Sequence, residues 1–215
     1  MRYPSYKTYE KIYQKYINPK NLKEMLDLAG KDFTDKNFLD ICCGNGNAIK
    51  EAKKRKAKFR LGIDQETKMV PIGIKHLNLS VELVLEHLGD YTNNKIFDIV
   101  FCRQGINYWF TSDLIRGLVK HMANDGVFIF NTFNTKPTRE PLIKEYAIDA
   151  VTFVEISYLV EDNTVHHVQI REGYSPHITQ FKWIREEEFK NGLAPDFNFE
   201  IRRKRNTDIY ICRKK

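Results

Sequence analysis

A glycine-rich turn near residue 40 is the segment of this chain best suited to bind a ligand. Residues 39–47 read LDICCGNGN. Gly44 and Gly46 have no Cβ, so the backbone there can pass close to a bound molecule. The helix predicted to follow adds free N–H groups at its first turn. Asp64 ends the next apolar run, where a carboxylate can bind the two hydroxyls of a ribose. The turn and the acid together predict a nucleotide-like ligand.

Two kinds of cofactor site share this geometry: those of nicotinamide or flavin oxidoreductases, and those for S-adenosylmethionine. A dinucleotide site has the spacing G-x-G-x-x-G. In a frame that starts at Gly44, the third glycine would fall at Ile49. The second pattern is acid-x-G-x-G-x-G. Aligned from Asp40, it has glycines at positions 44 and 46, and Cys42 occupies the position of its first glycine. The second frame fits better, and a nicotinamide-dependent oxidoreductase stays an alternative.

The turn belongs to a strand–helix alternation that extends from residue 37 to about residue 134. Such a succession builds a parallel sheet with helices on both faces. Helices are predicted at 48–56 and 112–122. Strands are predicted at 38–42, 59–63, 81–85, 97–102 and 127–130.

The segments on either side of this alternation have different patterns. Tyr6, Tyr9, Tyr13 and Tyr16 recur at helical spacing, and a second helix is predicted from Asn18-Pro19 to Gly30. Beyond the alternation, a helix is predicted at 141–150 and a short one at 185–191. Antiparallel strands are predicted at 151–160, 164–172 and 177–184, with a closing hairpin of 197–203 and 208–212.

We predict that residues 1–215 form a single domain, in which the antiparallel strands are an insertion. Its parts are an N-terminal helical lid (1–36), a cofactor-binding core (37–134), an inserted substrate flap (135–185) and a C-terminal helix with hairpin (186–215).

Composition excludes several classes of protein. The chain is 42% hydrophobic and 29% charged, as in folded globular proteins. No apolar run approaches the ~20 residues of a membrane span, and the first residues lack the apolar segment of a secretion signal. The four cysteines show no C-x-x-C spacing. We therefore expect free thiols in a cytoplasmic protein, without a metal site and without a membrane partner.

The net charge of +7 is concentrated in residues 50–60 and 201–215, each with seven cations and one acid. Two basic clusters could track a nucleic-acid backbone. They also suit the C-terminal end of a helix and a charged edge hairpin, which need no partner. RNA therefore stays an alternative partner to a small molecule.

Taken together, these motifs resemble those of the class I S-adenosylmethionine-dependent methyltransferases. The likeness extends from about Asn37 to Asn134, and the order of the motifs agrees. The matching segments are LDICCGNG (39–46), GID (62–64), FDIVFCRQGINY (97–108) and DGVFIF (125–130). The resemblance implies an α/β, Rossmann-like, doubly wound and mostly parallel seven-stranded sheet with an antiparallel last strand and the inserted β flap. It also implies S-adenosyl-L-methionine as cofactor and S-adenosyl-L-homocysteine as product.

The resemblance implies roles for individual residues. Asp40 would hold the methionine ammonium, Asp64 the ribose, and Arg103 and Gln104 would lie near the donor methyl. The adenine would lie after the third predicted strand, at Glu86 or His87 and the following Leu88. The complete set of predicted cofactor contacts is Asp40, Cys42, Gly44, Gly46, Asn47, Asp64, Gln65, His87, Leu88, Arg103 and Gln104.

The acceptor is expected at the carboxyl ends of the fourth and fifth strands, where α/β sheets bind ligands. The predicted substrate contacts are Tyr9, Tyr13, Tyr16, Asn107, Tyr108, Trp109, Asn131 and Phe133. Methyl transfer depends mainly on holding the acceptor in line, and a neutral amine needs no strong base. No catalytic residue is assigned. His166 and His167 are the candidate bases, and at most one of them can face the pocket because neighbours on a strand point to opposite faces.

These observations predict a methyltransferase that moves a methyl group to N or O of a small-molecule acceptor. An RNA methyltransferase, including one acting on a cap-like guanine, is the alternative. RQGI (103–106) follows the fourth strand in place of the N-P-P-Y type motif of DNA amino-methyltransferases. A cofactor-binding protein without catalytic activity is a third possibility.

Overall fold

A computed structural model describes residues 19–65, 74–148, 151–161, 163–171, 176–205 and 207–215. The predicted tyrosine helix, with Tyr9, Tyr13 and Tyr16, lies outside these ranges. The helices are α1 (Pro19–Asp27), α2 (Asn47–Lys54), α3 (Val81–Glu86), α4 (Leu88–Thr92), α5 (Ile106–Trp109), α6 (Ser112–Val119) and α7 (Glu186–Leu193). The strands are β1 (Asn37–Ile41), β2 (Phe59–Ile63), β3 (His76–Leu77), β4 (Phe97–Cys102), β5 (Met122–Phe133), β6 (Leu142–Ile148), β7 (Val151–Leu159), β8 (Thr164–Arg171), β9 (His177–Lys182), β10 (Phe197–Arg203) and β11 (Thr207–Lys214).

Seven strands form one sheet in the order β10-β11-β5-β4-β1-β2-β3. Strands β1 to β5 are parallel, β11 is antiparallel to β5, and β10 is antiparallel to β11. Leu39 of β1 pairs with Leu61 of β2 and with Val100 of β4, so the strand ends that follow meet at one edge of the sheet. The predicted Rossmann-like sheet with a closing antiparallel hairpin is confirmed.

Apolar side chains cover both faces of this sheet. On one face, Leu39, Ile41 and Phe130 pack with apolar residues of α3, α6 and α7. On the other, Phe38, Phe101 and Ile129 pack with α1 and α2. Burying each such side chain contributes about 1.5–3 kcal/mol, so the two layers hold the strand ends in a fixed arrangement. No helix in the described ranges is long and apolar enough to span a membrane.

The third strand differs from its prediction at 81–85. Val81–Glu86 is helix α3, and the strand before it is only His76–Leu77. Ser80 caps the helix, because its Oγ accepts a hydrogen bond from the Leu83 N–H at 3.3 Å. Val81, Val84 and Leu85 are buried at i, i+3 and i+4, which is the helical period. The apolar run at 81–85 is therefore part of a capped helix, and the strand predicted there is wrong.

The region predicted as a flap forms a second sheet of four antiparallel strands, β6-β7-β8-β9. The three predicted runs are confirmed as β7, β8 and β9. The helix predicted at 141–150 is wrong, since residues 142–148 form β6 and pair with β7. The predicted helix at 112–122 ends at Val119, and β5 begins at Met122, before the predicted start at residue 127.

Candidate active site

The glycine-rich turn joins β1 to α2 through three residues with left-handed backbone: Cys42 (φ 57°), Gly44 (φ 50°) and Gly46 (φ 68°). The N–H of Gly46 donates to the carbonyl of Cys43 at 2.8 Å, and α2 begins directly after it. A Cβ on Gly46 would collide with Cδ1 of Ile74. The φ angle therefore favours glycine at this position, and a side chain there would also displace the end of the Ile74 side chain.

Cys42 occupies the place of the family's first glycine, and Gly105 makes room for it. A Cβ on Gly105 would lie 2.5 Å from the Cβ of Cys42. The Cys42 Sγ lies 3.9 Å from the Gly105 carbonyl oxygen. A hydrogen bond with the Cys102 side chain and burial raise the pKa of the Cys42 thiol well above its ordinary value. The sulfur is thus a neutral packing group beneath the turn.

Asp64 ties the turn to the end of β2. The Gly44 N–H donates to its Oδ2 at 2.8 Å, and the Asp64 residue is 8% exposed. A carboxylate has about four acceptor positions on its two oxygens, so one group can bind both the turn and ribose hydroxyls. The structure therefore brings together the glycine turn and the acid, as the sequence predicted.

Asp40, near the end of β1, is 2% exposed. Burial, and to a lesser degree the Asp64 carboxylate, raise its pKa well above the ordinary value, and the Arg103 guanidinium lowers it only in part. A second cation beside Asp40 would favour its ionised form. The site thus suits a ligand that carries a positive charge, such as the ammonium of an amino acid.

A pocket lies between the turn, α1 and the loop that follows β4. Six of the predicted cofactor residues line it: Asp40, Cys42, Gly44, Asn47, Arg103 and Gln104. Asn45 also lines it and was not predicted. It is 5% exposed, and its Nδ2 is buried without a hydrogen-bond partner. In the sequence, only its polar side chain and its position between the two glycines indicate that Asn45 could contact a ligand.

The predicted adenine contacts, His87 and Leu88, are not brought to this pocket. Their placement assumed a third strand at 81–85, and in the structure they follow helix α3. Leu88 is fully buried in the core, and His87 lies at the helix end with its Nδ1 3.8 Å from Oδ2 of Asp90. The strand that does neighbour β2 ends at Leu77, whose carbonyl accepts from the Asp64 N–H at 3.1 Å. Asn78 follows the third strand directly, so it lies at the strand end beside Asp64, the predicted ribose contact. Gln65, which was also predicted to contact the cofactor, is exposed.

Asn131 and Asn107, both predicted to contact the acceptor, brace the loops at this edge of the sheet. Oδ1 of Asn131 accepts from the Gln104 N–H at 2.9 Å, where Gln104 has φ 59°. Asn107 accepts from the Thr132 hydroxyl at 2.9 Å and donates to the Lys182 carbonyl of β9 at 2.9 Å. Both are buried.

The predicted aromatic contacts separate into core and surface. Trp109 is 3% exposed and its ring lies 6.3 Å from that of Phe128, so it belongs to the core rather than to an acceptor wall. Tyr108 is half-exposed, with its ring 5.6 Å from that of Phe181 on β9 and its hydroxyl hydrogen-bonded to Thr179. Phe133 also lies beside Phe181, at 6.0 Å. Tyr108 and Phe133 therefore connect the large sheet to the second one.

The two faces of the second sheet carry different residues. We call inner the face that meets Tyr108, formed by Ser157, His167, Thr179 and Phe181, and outer the opposite face, formed by Ile143, Ile156, Val168 and Ile178. On the inner face, the Ser157 Oγ lies 2.8 Å from Nδ1 of His167. His166 is on the outer face, beside Tyr158 and Gln180. Only His167 is on the side of the predicted acceptor.

The two basic clusters are separated in the structure. Three strands lie between β11 and β2 in the sheet. Several cations of the C-terminal cluster are held locally: Arg203 pairs with Glu186 and Asp208, Lys204 with Glu24, and Lys214 donates to the carbonyls of Val119 and Met122. The clusters therefore do not form one continuous basic stripe. Across the described ranges, no three His, Cys, Asp or Glu side chains are grouped as ligands for a metal ion.

Comparisons with known proteins agree with this geometry. Residues 38–126 match the family described as Methyltransferase domain. Among curated proteins, no sequence matches the chain. The fold is similar to that of a sugar N-methyltransferase from Streptoalloteichus sp (12% identity, 96% of this chain and 92% of that chain, TM-score 0.66). It is also similar to an S-adenosylmethionine-bound amino pentose methyltransferase from Micromonospora echinaspora (13% identity, 100% of this chain and 98% of that chain, TM-score 0.67). A third similar structure is the CcbJ methyltransferase from Streptomyces caelestis (14% identity, 91% of this chain and 90% of that chain, TM-score 0.71). The resemblance to the class I methyltransferases is confirmed, and the fold is theirs.

Proposed function

We propose that the chain is an S-adenosylmethionine-dependent methyltransferase that transfers a methyl group to N or O of a small-molecule acceptor. The hydrogen bond from Gly44 to Asp64 carries the proposal, because it fixes a glycine turn and a ribose-binding carboxylate side by side. Both residues lie within the segment that matches the methyltransferase-domain family.

The residues of the turn fit such a cofactor in charge and in shape. Asp64 accepts hydrogen bonds from the ribose hydroxyls, and Asp40 lies beside the ammonium of the methionine part. Gly44 has no Cβ, so the cofactor can approach the backbone there. Asn78 replaces His87 as the adenine contact we propose. When bound, S-adenosylmethionine would supply a methyl group on a sulfonium sulfur, and the acceptor atom would bond to the methyl carbon in line as the carbon–sulfur bond breaks and S-adenosylhomocysteine leaves. The protein's main contribution is to hold the acceptor at about 3–3.5 Å from that methyl.

The acceptor binds between the inner face and the end of the large sheet. Ser157, His167 and Thr179 offer hydrogen bonds there, beside the half-exposed Tyr108. Such a set suits a small molecule with several hydroxyl or amino groups. Amino sugars are the first class to test, since two proteins of similar fold are named as methyltransferases of sugars. Asn107 and Tyr108 contact Lys182 and Phe181 of the flap, and these contacts support the predicted single domain.

Ligand binding to the Asp64→Asn variant tests the cofactor assignment. A ligand at a hundred times its dissociation constant stabilises the folded state by about 2.7 kcal/mol. S-adenosylmethionine and S-adenosylhomocysteine should raise the unfolding temperature of the wild type, whereas NADPH should not. We expect at least tenfold weaker binding in Asp64→Asn.

Asp98→Asn is the matched control for that experiment. Asp98 also ties two strands, since it accepts from the Asn37 N–H at 2.7 Å, but it lies at the amino end of β4. Its replacement should leave cofactor affinity unchanged. A response to NADPH alone, or wild-type affinity in Asp64→Asn, would overturn the assignment.

His167 is the residue we propose to accept a proton from the acceptor. Its variant His167→Gln should lower kcat about a hundredfold or more, the range for general base catalysis, and should remove one limb of the pH profile. His166→Gln changes the same residue type on the outer face and should change neither. Equal effects of both substitutions would contradict the role of His167.

A further inference from the structure

A serine and a histidine form a close pair on the inner face of the second sheet. Ser157 of β7 and His167 of β8 are cross-strand partners in the register of the sheet. Such partners have Cβ atoms about 4.5–5.5 Å apart, so a short side chain on one strand can reach a longer one on the other. The Ser157 Oγ lies 2.8 Å from Nδ1 of His167, which is a hydrogen-bond distance. Both side chains are partly buried.

The contact distinguishes the two nitrogens of the His167 ring. Nδ1 is bonded to the ring carbon that carries Cβ, so it stays near the strand, whereas Nε2 lies at the tip of the ring. Ser157 therefore holds the nitrogen near the strand, and the tip extends toward the side of the predicted acceptor. A neutral imidazole has one N–H and one lone pair, and the hydrogen bond at one nitrogen sets the state of the other.

The pair is also connected to the large sheet. The Thr179 hydroxyl of β9 donates to the His167 carbonyl at 3.4 Å, and the Tyr108 hydroxyl is hydrogen-bonded to Thr179. Tyr108 belongs to α5, which follows the loop of Arg103 and Gln104 at the end of β4. These two hydrogen bonds therefore connect His167 to the loop that lines the predicted cofactor pocket.

The role of Ser157 rests on the proposed function, in which His167 takes a proton from the acceptor. An N–H or O–H bond of the acceptor breaks, its electron pair stays on the acceptor atom, and a new N–H bond forms at Nε2. The ring then carries a proton on each nitrogen and a positive charge. Nε2 can accept this proton only if the proton of the neutral ring is on Nδ1.

A hydroxyl oxygen that accepts from the Nδ1–H suits the neutral ring and the cation alike, so it need not turn during the transfer. We propose that Ser157 is a positioning residue that keeps the proton of neutral His167 on Nδ1 by accepting a hydrogen bond from it.

The ¹⁵N spectrum of the histidine side chains tests the position of the proton without any turnover. The free protein, labelled at histidine, is measured at about pH 9, where imidazole rings are neutral. The chain has 6 histidines, and the variant His167→Gln identifies the signals of His167. We expect its proton on Nδ1 in the wild type and a redistribution toward Nε2 in Ser157→Ala. A wild-type proton on Nε2, or the same spectrum in both proteins, would overturn the proposal.

Two further variants separate the hydroxyl from other effects of the substitution. Ser157→Thr keeps a hydroxyl on the same carbon and should keep the proton on Nδ1. Tyr158→Phe is the matched control, because it removes a hydroxyl that lies 3.4 Å from Nδ1 of the neighbouring His166 on the outer face. It should change the signals of His166 only. An equal change of the His167 signals in Tyr158→Phe and Ser157→Ala would indicate a general change of the sheet and contradict the proposal.

Steady-state kinetics with an accepted substrate measure the consequence for catalysis. Loss of one neutral hydrogen bond should lower kcat about three- to tenfold in Ser157→Ala, and Ser157→Thr should recover it. In a chain that already carries His167→Gln, the change Ser157→Ala should have no further effect, because Ser157 acts through His167. Losses that multiply independently would overturn the proposal. A wild type without methyl transfer would count against the proposed function instead, and the spectrum would still show whether Ser157 holds the proton.

Discussion

Replacing either glycine of the turn by alanine should separate backbone strain from loss of ligand space. Gly44 has φ 50°, and a Cβ there would meet no atom within 4 Å. The folded state therefore pays only for the left-handed conformation, about 1–2 kcal/mol, less about 0.4–1 kcal/mol because alanine is less flexible when unfolded. Since a domain of this size loses about 2–4 °C per kcal/mol, the unfolding temperature of Gly44→Ala should fall by only a few degrees.

The same substitution should damage ligand binding much more. Gly44 lines the pocket, so its new methyl group would stand where the cofactor is proposed to lie. We expect at least a tenfold rise in the dissociation constant of S-adenosylhomocysteine, which equals about 1.4 kcal/mol. Isothermal titration calorimetry measures this constant, and differential scanning calorimetry measures the unfolding temperature on the same samples.

Gly46→Ala is the matched comparison, and its effects should rank in the opposite order. Its Cβ would collide with the Ile74 side chain, which adds to the backbone cost, so Gly46→Ala should be the less stable of the two. Gly46 is not among the residues that line the pocket, so affinity should fall less. The additional change Ile74→Ala should recover part of the stability. If Gly44→Ala binds S-adenosylhomocysteine like the wild type, the reasoning about the pocket is refuted.

Three further perturbations test other parts of the site. Burial raises the pKa of Asp40, so the wild type should lose stability as pH rises from about 3.8 through the pKa of the folded state. Denaturant titrations at several pH values should show this loss in the wild type and not in Asp40→Asn. The variant should also bind the cofactor more weakly. Asn107→Ala leaves the Thr132 hydroxyl and the Lys182 carbonyl without this partner, so it should cost about 1–3 kcal/mol and speed hydrogen exchange in β9, while Asn37→Ala at the opposite edge should leave β9 unchanged. Tyr108→Ala should raise the KM for the acceptor with little change in the affinity for S-adenosylhomocysteine; an equal loss of both would show that Tyr108 supports the cofactor pocket instead.

The large sheet could be predicted because its central strands are continuous apolar runs. Residues 97–102 and 127–130 are apolar almost throughout, as strands covered on both faces must be. The third strand has only two residues and leaves no such signal. The run at 81–85 gives a false strand signal, since a short apolar run does not distinguish a strand from a buried helix. The Ser80 cap was the signal that could have decided the question.

Which residues meet at the site could be predicted only in part. The spacing of Gly44 and Asp64 predicts that these two residues meet, because they follow adjacent parallel strands. The roles of Asn107 and Trp109 could not be predicted in this way. Their side chains turn toward Thr132 and Phe128, and this orientation depends on how the short helix α5 packs. The helix predicted at 141–150 failed for a related reason: pairing with β7 overrides a weak local preference.

The second sheet has a consequence for how this fold can change over time. Among the described residues, its four strands pair only with one another, and the sheet is inserted between β5 and α7. Its attachment to the rest of the chain includes the Asn107 bond and the rings around Phe181. Substitutions on the inner face can therefore accumulate without disturbing the turn at Gly44 or the strand ends around it. The arrangement gives evolution, or an engineer, a separate sheet that can be varied while the glycine turn and the strand ends beside it stay unchanged.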